Sequence, residues 1–353
     1  MRSPLPQIVD YPAHLEAAWL QHLAPREPNA PTVISTFAGA GGSSLGYSMA
    51  GYRELLAVEW DNNAVETFKL NFPGVPVYHG DIAKLSVEEC LRLAGLTGPR
   101  QLDVLDGSPP CQGFSTAGKR DFKDDRNQLF REYVRLLRGL QPKVFVMENV
   151  SGMVKGKMKL IFADILRELK ASGYVVSARL LNAMWFGVPQ SRERMIFIGV
   201  REDLGIAPSH PKAQSRPVTV MNAISNAPHD PDAFTVGVHT KIYKDMMNVK
   251  PGMSQPGHHS HMRLPDNKPS CALLADNGFG HYHYWHPVQH RTITFVELRM
   301  LASFGVDFEQ RGTPAQRWAR IGNSVPPLFM RAIALHVRRE VLVNSAETVQ
   351  NAT

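Results

Sequence analysis

The hydrophobic pattern of the chain changes character along its length. Between residues 32 and 200, short apolar, β-branched runs alternate with stretches in which apolar residues recur every three or four positions. The short runs predict buried strands and the longer stretches predict amphipathic helices. Strands are expected at Thr32–Phe37, Leu55–Val58, Val75–Tyr78, Leu102–Leu105, Val144–Met147, Val175–Leu181 and Met195–Val200. This alternation predicts an α/β fold with a mostly parallel sheet and helices on both faces.

The pattern also divides the chain into three parts. Helices are expected at Asn127–Gly139, Leu160–Ala171 and Pro326–Val343, so the helical texture returns near the C-terminus. Residues 206–290 lack regular periodicity and contain 10 of the 26 prolines and 10 of the 14 histidines. We therefore expect an N-terminal extension at 1–30, an α/β domain over 31–205 and 318–353, and a smaller loop-rich domain over 206–317.

Composition narrows the class of protein. Hydrophobic residues make up 43% and charged residues 20% of 353, which excludes wholesale disorder and fibrous folds. The net charge of +7 permits a polyanionic partner such as nucleic acid without requiring one. No apolar run is long enough to cross a membrane, and no signal peptide is recognisable, so a cytoplasmic protein is expected. Three widely spaced cysteines fit neither a disulfide framework nor a paired-cysteine zinc site.

A glycine-rich loop follows the first predicted strand, in the stretch Phe37-Ala38-Gly39-Ala40-Gly41-Gly42. Such loops let the backbone approach a ligand closely before a helix begins. The next strand ends at Glu59, about 20 residues after Gly39, a spacing at which an acid can bind ribose hydroxyls. A third strand leads to Asp81. The candidate ligands are NAD-type dinucleotides and S-adenosylmethionine, and the alternative is a tight turn with two helix-capping acids.

A cysteine follows the fourth strand on a rigid loop, Pro109-Pro110-Cys111-Gln112-Gly113. A thiolate at the ligand-binding edge of a sheet is a strong nucleophile. The alternative is a packed structural thiol, and Cys90 and Cys271 are assigned to that class.

The fifth strand and a later one supply charged groups. Glu148 ends the fifth strand and could act as an acid beside the cysteine. Arg192 and Arg194, in Gln190-Ser191-Arg192-Glu193-Arg194, could clamp a base carbonyl and a phosphate, unless they are ion pairs of an edge strand.

These stretches occur together in a known order. FAGAGGSSLG, the Glu59–Trp60 pair, SPPCQGFS, MENV, QSRER and GNSVPP, which begins at Gly322, resemble the motifs of the DNA (cytosine-5) methyltransferase family. The resemblance covers about residues 31–200 and 285–345. It implies a Rossmann-like methyltransferase sheet and a target-recognition domain at 206–317. It further implies methyl transfer from S-adenosylmethionine to carbon 5 of a cytosine flipped out of duplex DNA.

The resemblance also implies a role for each matched residue. Cys111 would add to carbon 6 of cytosine, Glu148 would protonate ring nitrogen N3, and Arg194, supported by Arg192, would hold O2. Further substrate contacts are expected from Pro110, Gln112, Ser115 and Gln190. The loop Gly113–Arg126, with its basic residues, would close over DNA.

The cofactor positions carry over in the same way. The glycine loop would be lined by Phe37, Gly39 and Gly41, and Glu59 would bind the ribose. Trp60 would stack on the adenine and Asp81 would meet its amino group. Asn323 and Val325 would close the methionine end.

The sequence departs from the family pattern at Val296, Ala302 and Gly305, where arginine, glutamine and proline are usual. We expect these departures to affect the packing of the smaller domain and not the reaction. Two histidine clusters, at 258–261 and 281–286, would face DNA or pack a small core, and no metal site is expected.

Other functions remain open on these grounds. A transfer-RNA cytosine-5 methyltransferase is the nearest alternative, although the Cys-Phe-Thr signature of that branch is absent. A catalytically silent reader of DNA that binds S-adenosylmethionine is a second. A dehydrogenase explains neither the Pro-Cys-Gln loop nor GNSVPP. The expected partner is double-stranded DNA, with the chain as a monomer. A restriction endonuclease acting on the same site is a further candidate partner.

Overall fold

The computed structural model describes residues 4–110, 128–154, 158–231, 237, 239–255, 258–275 and 284–344. Contacts divide the chain into two compact units. The sheet unit comprises Ala24–Leu181, Glu193–Lys212 and Met330–Thr353. The small unit comprises Met1–Leu23, Asn182–Arg192 and Ala213–Phe329.

Seven strands of the described chain form one sheet. They are β1 Thr32–Thr36, β2 Arg53–Glu59, β3 Val77–His79, β4 Val104–Gly107, β5 Val144–Val150, β6 Tyr174–Asn182 and β7 Glu193–Arg201. The strand order is β3-β2-β1-β4-β5-β7-β6. The neighbours from β3 to β5 pair in parallel, whereas β7 runs antiparallel to β5. The predicted α/β fold with a mostly parallel sheet is confirmed.

Eleven α-helices occur in the described residues. They are α1 Tyr11–Leu23, α2 Gly42–Met49, α3 Asn62–Asn71, α4 Val87–Leu93, α5 Gln128–Leu140, α6 Met158–Lys170, α7 Val220–Ile224, α8 Lys241–Met247, α9 Phe295–Leu301, α10 Pro314–Asn323 and α11 Pro327–Val337. None of them is both long and apolar enough to cross a membrane.

The core of the sheet unit follows from the continuous apolar runs. Residues Val144–Met147 of β5 are fully buried, as expected for a central strand covered on both faces. On α5, Tyr133, Leu136, Leu137 and Leu140 are buried at helical spacing. The sheet and its helices thus hold the carboxyl ends of β1, β2, β4 and β5 along one edge, where the candidate site residues lie.

The small unit has less regular structure. Its three-stranded sheet has the order β10-β9-β8, with β8 Ser254–Gln255, β9 His258–Arg263 and β10 Tyr284–Trp285. Helix α1 belongs to this unit: the Tyr11 hydroxyl donates to the Met300 carbonyl at 2.8 Å.

The compact units do not follow the expected boundaries everywhere. Residues 1–23, 182–192 and 318–329 lie in the small unit, whereas an extension at 1–30 and an α/β domain including 182–192 and 318–329 were expected. The physical reason for the first difference is that α1 buries its apolar side chains in that unit. The functional division into catalytic and target-recognition domains stays a prediction.

The three departures from the family pattern are buried in the small unit. Val296 lies in α9, where its amide donates to the Asp230 carboxylate at 3.2 Å, and Ala302 caps the end of that helix. At Gly305, an added Cβ would lie 2.7 Å from the Trp19 ring of α1. The indole therefore lies directly against the backbone at the position where proline is usual.

Candidate active site

The glycine loop lies between β1 and α2. Phe37, Gly39 and Gly41 all have positive φ angles, of 55°, 56° and 96°. Gly41 is the N-cap of α2 and makes no side-chain capping bond, and a Cβ there would collide with the Phe72 ring. Glycine is thus required at Gly41 both by its left-handed backbone and by the neighbouring ring. The loop packs closely on one side, while a Cβ added at Gly39 would meet no atom within 4 Å.

Glu59 is fixed by backbone amides. One carboxylate oxygen accepts from the Gly39 amide at 2.7 Å, and the other accepts from the Trp60 and Asp61 amides, each at 2.9 Å. The residue is 8% exposed. This cradle joins the end of β2 to the glycine loop.

Trp60 and Asp81 lie at the same edge with their side chains open to solvent. Trp60 is 77% exposed, which is unusual for a large aromatic side chain and is typical of one that a ligand covers. Asp81 is exposed and caps a short 3-10 helix by accepting from the Ala83 amide at 2.9 Å. The structure therefore brings Phe37, Gly39, Gly41, Glu59, Trp60 and Asp81 to the carboxyl edge of β1, β2 and β3.

Glu148 and Arg194 form an ion pair. Arg194 Nε lies 2.6 Å from Glu148 Oε1, and the two side chains are only 14% and 10% exposed. In the antiparallel pairing of β5 with β7, Glu148 is opposite Ile196 and Val150 is opposite Arg194. Glu148 and Arg194 are therefore diagonal neighbours on the same face of the sheet. A nearly buried carboxylate with a charged partner at this edge can bind a polar ring and exchange a proton with it.

The next residue on β5 holds the start of the Pro-Cys loop. Asn149 donates from its side-chain amide to the Pro109 carbonyl at 3.0 Å. Pro110 is exposed at the end of the described segment. Cys111, Gln112, Ser115 and the loop Gly113–Arg126 lie outside the described residues. The sequence motif alone assigns no role to Asn149. Its hydrogen bond to Pro109 shows that it anchors the start of the Pro-Cys loop.

Gln190 and Arg192 lie in the small unit and bind backbone groups there. The Gln190 amide accepts from the Leu273 amide at 3.2 Å and donates to the Leu301 carbonyl at 3.4 Å. Arg192 donates to the Leu273 carbonyl at 3.2 Å and to the Gly322 carbonyl at 3.0 Å. Both residues are buried. These contacts hold separate segments of the small unit together.

The GNSVPP stretch ends α10 in the same unit. A Cβ at Gly322 would collide with the backbone of Ala275, so only glycine allows these segments to meet. Asn323 is exposed and Val325 is buried. The predicted roles of Asn323 and Val325 at a cofactor stay predictions.

The described histidines of the small unit include two buried side chains, His261 and His286. His286 Nδ1 accepts from the Val288 and Gln289 amides, at 3.1 and 2.9 Å. Burial lowers its pKa to about 4, against the opposing effect of Glu297. His286 is thus a neutral packing residue. No group of three potential metal ligands occurs among the described residues.

The chain is similar to known proteins over most of its length. A family model for C-5 cytosine-specific DNA methylases matches residues 31–339. Type II methyltransferase M1.HphI of Haemophilus parahaemolyticus is 36% identical over 332 residues, which are 86% of this chain and 85% of that protein. M.XorII of Xanthomonas oryzae pv. oryzae is 32% identical over 357 residues, covering 86% and 83%. A solved structure described as a candidate DNA modification methyltransferase from an E. coli prophage gives a TM-score of 0.73 at 25% identity, covering 91% of this chain and all of that one.

Proposed function

Because the chain belongs to the C-5 cytosine-specific DNA methylase family, we propose that it methylates carbon 5 of a cytosine that has left the stack of duplex DNA. The observation that carries this proposal is the 2.6 Å Glu148–Arg194 pair at the edge of the sheet. Glu148 is followed on β5 by Asn149, which anchors Pro109 at the start of the Pro-Cys loop. Acid, guanidinium and nucleophile loop are the groups that this reaction needs.

S-adenosylmethionine use follows from the family, and the residues of the sheet edge fit that cofactor. The fit rests on the open side of the glycine loop at Gly39, the carboxylate of Glu59 and the exposed ring of Trp60. Glu59 would bind the ribose hydroxyls, Trp60 the adenine face and Asp81 the adenine amino group. When bound, the cofactor supplies an electrophilic methyl group. Asn323 and Val325 are proposed for its methionine end.

The chain's own residues would activate the cytosine. The Cys111 thiolate forms a bond to carbon 6, and the electron pair of the 5,6 double bond moves to carbon 5 with charge drawn toward N3. Glu148 would supply a proton at N3 and Arg194 would bind O2, with Arg192 acting indirectly by holding the small unit. Carbon 5 then takes the methyl group. Loss of the carbon 5 proton to a base such as water, expulsion of the Cys111 thiolate and return of the N3 proton to Glu148 restore the ring.

The type II methyltransferases to which the chain is similar give a setting for this reaction. We propose that it modifies double-stranded DNA as a monomer in the cytoplasm, associated with the nucleoid, beside a restriction endonuclease for the same sequence. Pro110, Gln112, Ser115 and Gln190 are proposed as groups that shape the target pocket.

A direct labelling experiment tests the reaction. The protein is incubated with S-adenosylmethionine carrying a labelled methyl group and either unmethylated duplex DNA or transfer RNA. A Cys111→Ala variant serves as control, with Cys90→Ala as the matched substitution of a buried thiol. The nucleic acid is then digested to nucleosides.

Labelled 5-methylcytosine from DNA, retained in C90A and lost in C111A, is the expected result. Label found only in transfer RNA would assign the chain to the RNA-modifying alternative. Cofactor binding without label in either substrate would favour the silent DNA reader.

A further inference from the structure

Two carboxylic acids lie inside the sheet unit, behind the proposed cofactor loop. Asp106 is on β4, directly before the segment that leads to Pro109, and Glu54 is on β2. Neither residue belongs to the site described above. Asp106 is 2% exposed, and neither carboxylate oxygen of Glu54 is accessible to solvent. Acids are rarely buried in this way without a role, because desolvation of their charged form is costly.

The partners of Asp106 lie on α2, the helix that the glycine loop begins. The Tyr47 hydroxyl donates to Asp106 Oδ1 at 3.3 Å, and Ser43 is close to the same carboxyl group. The Asp106 backbone carbonyl accepts from the Thr36 hydroxyl of β1 at 2.9 Å. Asp106 therefore connects β4, β1 and α2.

Glu54 approaches the same helix from β2. Its carboxyl group is close to Ser35 and Ser44, but neither carboxylate oxygen has a hydrogen-bond partner among the described residues. Helix α2 has no side-chain cap at Gly41. Side-chain hydrogen bonds join it to the sheet: Ser44 Oγ donates to Ser35 Oγ of β1 at 3.2 Å, and Tyr47 donates to Asp106 of β4. Every residue of α2 is buried, so the helix has little freedom to shift without breaking them.

We propose that Asp106 is a positioning residue of the methyl-transfer site: its buried carboxyl group holds α2 through the Tyr47 hydroxyl, and thereby sets the glycine loop that receives the cofactor. This inference rests on the proposed function, because it concerns the cofactor loop.

The electrostatic surroundings agree with an uncharged carboxyl group. The pKa of Asp106 is raised to about 8, chiefly by burial and in smaller part by the nearby Glu148, against hydrogen bonding from Tyr47 and Ser43, which lowers it. Burial likewise raises the pKa of Glu54 to about 8. The titratable groups that face Asp106 are Tyr47 on α2, Tyr133 on α5, Glu148 on β5 and Glu54 on β2. Among these groups, the Glu148 carboxylate opposes a second negative charge at Asp106, whereas the two tyrosines are uncharged near neutral pH.

The first test is the dissociation constant of S-adenosylmethionine between pH 6.5 and pH 9, measured by calorimetry without DNA. An ionised Asp106 would carry a desolvated charge close to Glu148, so we expect ionisation to disturb the packing of β4 against α2. If the ionised form does not hold the cofactor loop, a group with a pKa near 8 weakens binding by about tenfold between pH 7 and pH 9. Asp106→Asn keeps the shape of the side chain and cannot ionise. The dissociation constant of this variant should therefore lack the tenfold rise between pH 7 and pH 9. Titration of the cofactor affects both proteins equally, so it cancels when the dissociation constant of wild type is divided by that of D106N at the same pH.

The second test removes the link on the helix side. Tyr47→Phe deletes the hydroxyl that binds Asp106, and loss of one buried hydrogen bond should weaken cofactor binding about fivefold at pH 7. The matched control is Tyr52→Phe. Tyr52 is an equally buried neighbour of Tyr47, and its hydroxyl donates instead to the Ala334 carbonyl at 2.9 Å. This control should leave the dissociation constant within about twofold of wild type.

The outcomes separate the two proposals. A wild-type alkaline loss of binding that D106N lacks, with Y47F weakened and Y52F unchanged, supports the positioning role. Parallel profiles for wild type and D106N overturn it while leaving the proposed function intact. Equal effects of Y47F and Y52F also overturn it, even where D106N does not fold. Failure of the wild-type chain to bind S-adenosylmethionine at any pH overturns the proposed function and this inference with it.

Discussion

Arg192 and Arg194 are two residues apart in one motif, yet the structure gives them different surroundings. Arg194 lies in the sheet unit and pairs with the carboxylate of Glu148. Arg192 lies in the small unit and donates to the carbonyls of Leu273 and Gly322. The sheet unit thus presents charged side chains to one another at its edge, whereas the small unit uses a charged side chain to join backbone segments. Spacing in a motif does not determine which of these tasks a residue performs.

The largest expected effect is on the acid of the sheet unit. Glu148→Gln keeps the shape and removes the proton donor, so the methylation rate should fall by about 10² to 10⁴-fold. Affinity for S-adenosylmethionine should change little, because Glu148 is assigned to the cytosine. Rates are measured by methyl incorporation into duplex DNA. The matched control is Glu168→Gln, because Glu168 lies on α6 and forms an exposed ion pair with Arg138 of α5. Equal rates for E148Q and E168Q would remove Glu148 from the mechanism.

The second prediction addresses the arginine of the small unit. Arg192→Met leaves the buried Leu273 and Gly322 carbonyls without this donor, so the free energy of unfolding should fall by about 3 kcal/mol. Urea denaturation measures the change. Arg339→Met is the control, because Arg339 is exposed and pairs only with its neighbour Glu340 among the ion pairs of the described chain; a change of less than about 0.5 kcal/mol is expected. A similar small change in R192M would contradict a structural role.

The sheet was predictable because its strands are long enough to carry their own pattern. The runs at Val144–Met147 and Met195–Val200 correspond to observed strands. Their ends were not predictable: β5 continues through polar Glu148 and Asn149 because the pairing with β7 extends there. Asp106 likewise lies inside β4, although a buried acid carries no strand signal, because β4 pairs with β1 up to Gly107.

The small unit was much less predictable from local pattern. Its strands β8 and β10 have two residues each, too few for periodicity to show. Its segments are joined by long-range hydrogen bonds from Gln190 and Arg192, and such partners cannot be inferred from neighbours in sequence. The candidate residues of the sheet edge were predictable because each of their sequence motifs lies at the end of a predicted strand.

The third prediction concerns the pH dependence of stability in the sheet unit. The folded pKa of Asp106, about 8, lies above the value near 4 expected when unfolded, so the folded state binds more protons between these values. Stability from this group is therefore present at low pH and is lost as pH rises from about 4 to about 8, by up to about 1.4 kcal/mol per pH unit.

Asp106→Asn removes this contribution, so its free energy of unfolding should decline less steeply than that of the wild type between pH 5 and pH 8. Unfolding is measured by urea denaturation of the protein without cofactor. Asp81→Asn, at the exposed edge, serves as control and should keep the wild-type slope. Identical slopes for D106N and wild type would show that Asp106 is already charged at neutral pH.

The smallest expected effect tests whether the small unit depends on close packing of α1. Gly305→Ala places a methyl group 2.7 Å from the Trp19 ring, and relief of such an overlap costs about 1 to 3 kcal/mol. Gly98→Ala is the matched control, since its Cβ would meet no atom within 4 Å. In a Trp19→Ala background the overlap is absent, so adding G305A should then cost less than about 0.5 kcal/mol. If G305A lowers the free energy of unfolding equally in both backgrounds, the requirement for glycine comes from the backbone conformation and not from Trp19. Loss of the cost with Trp19 would instead establish that α1 is packed as part of the small unit, where the family pattern has proline and this chain has an indole ring against glycine.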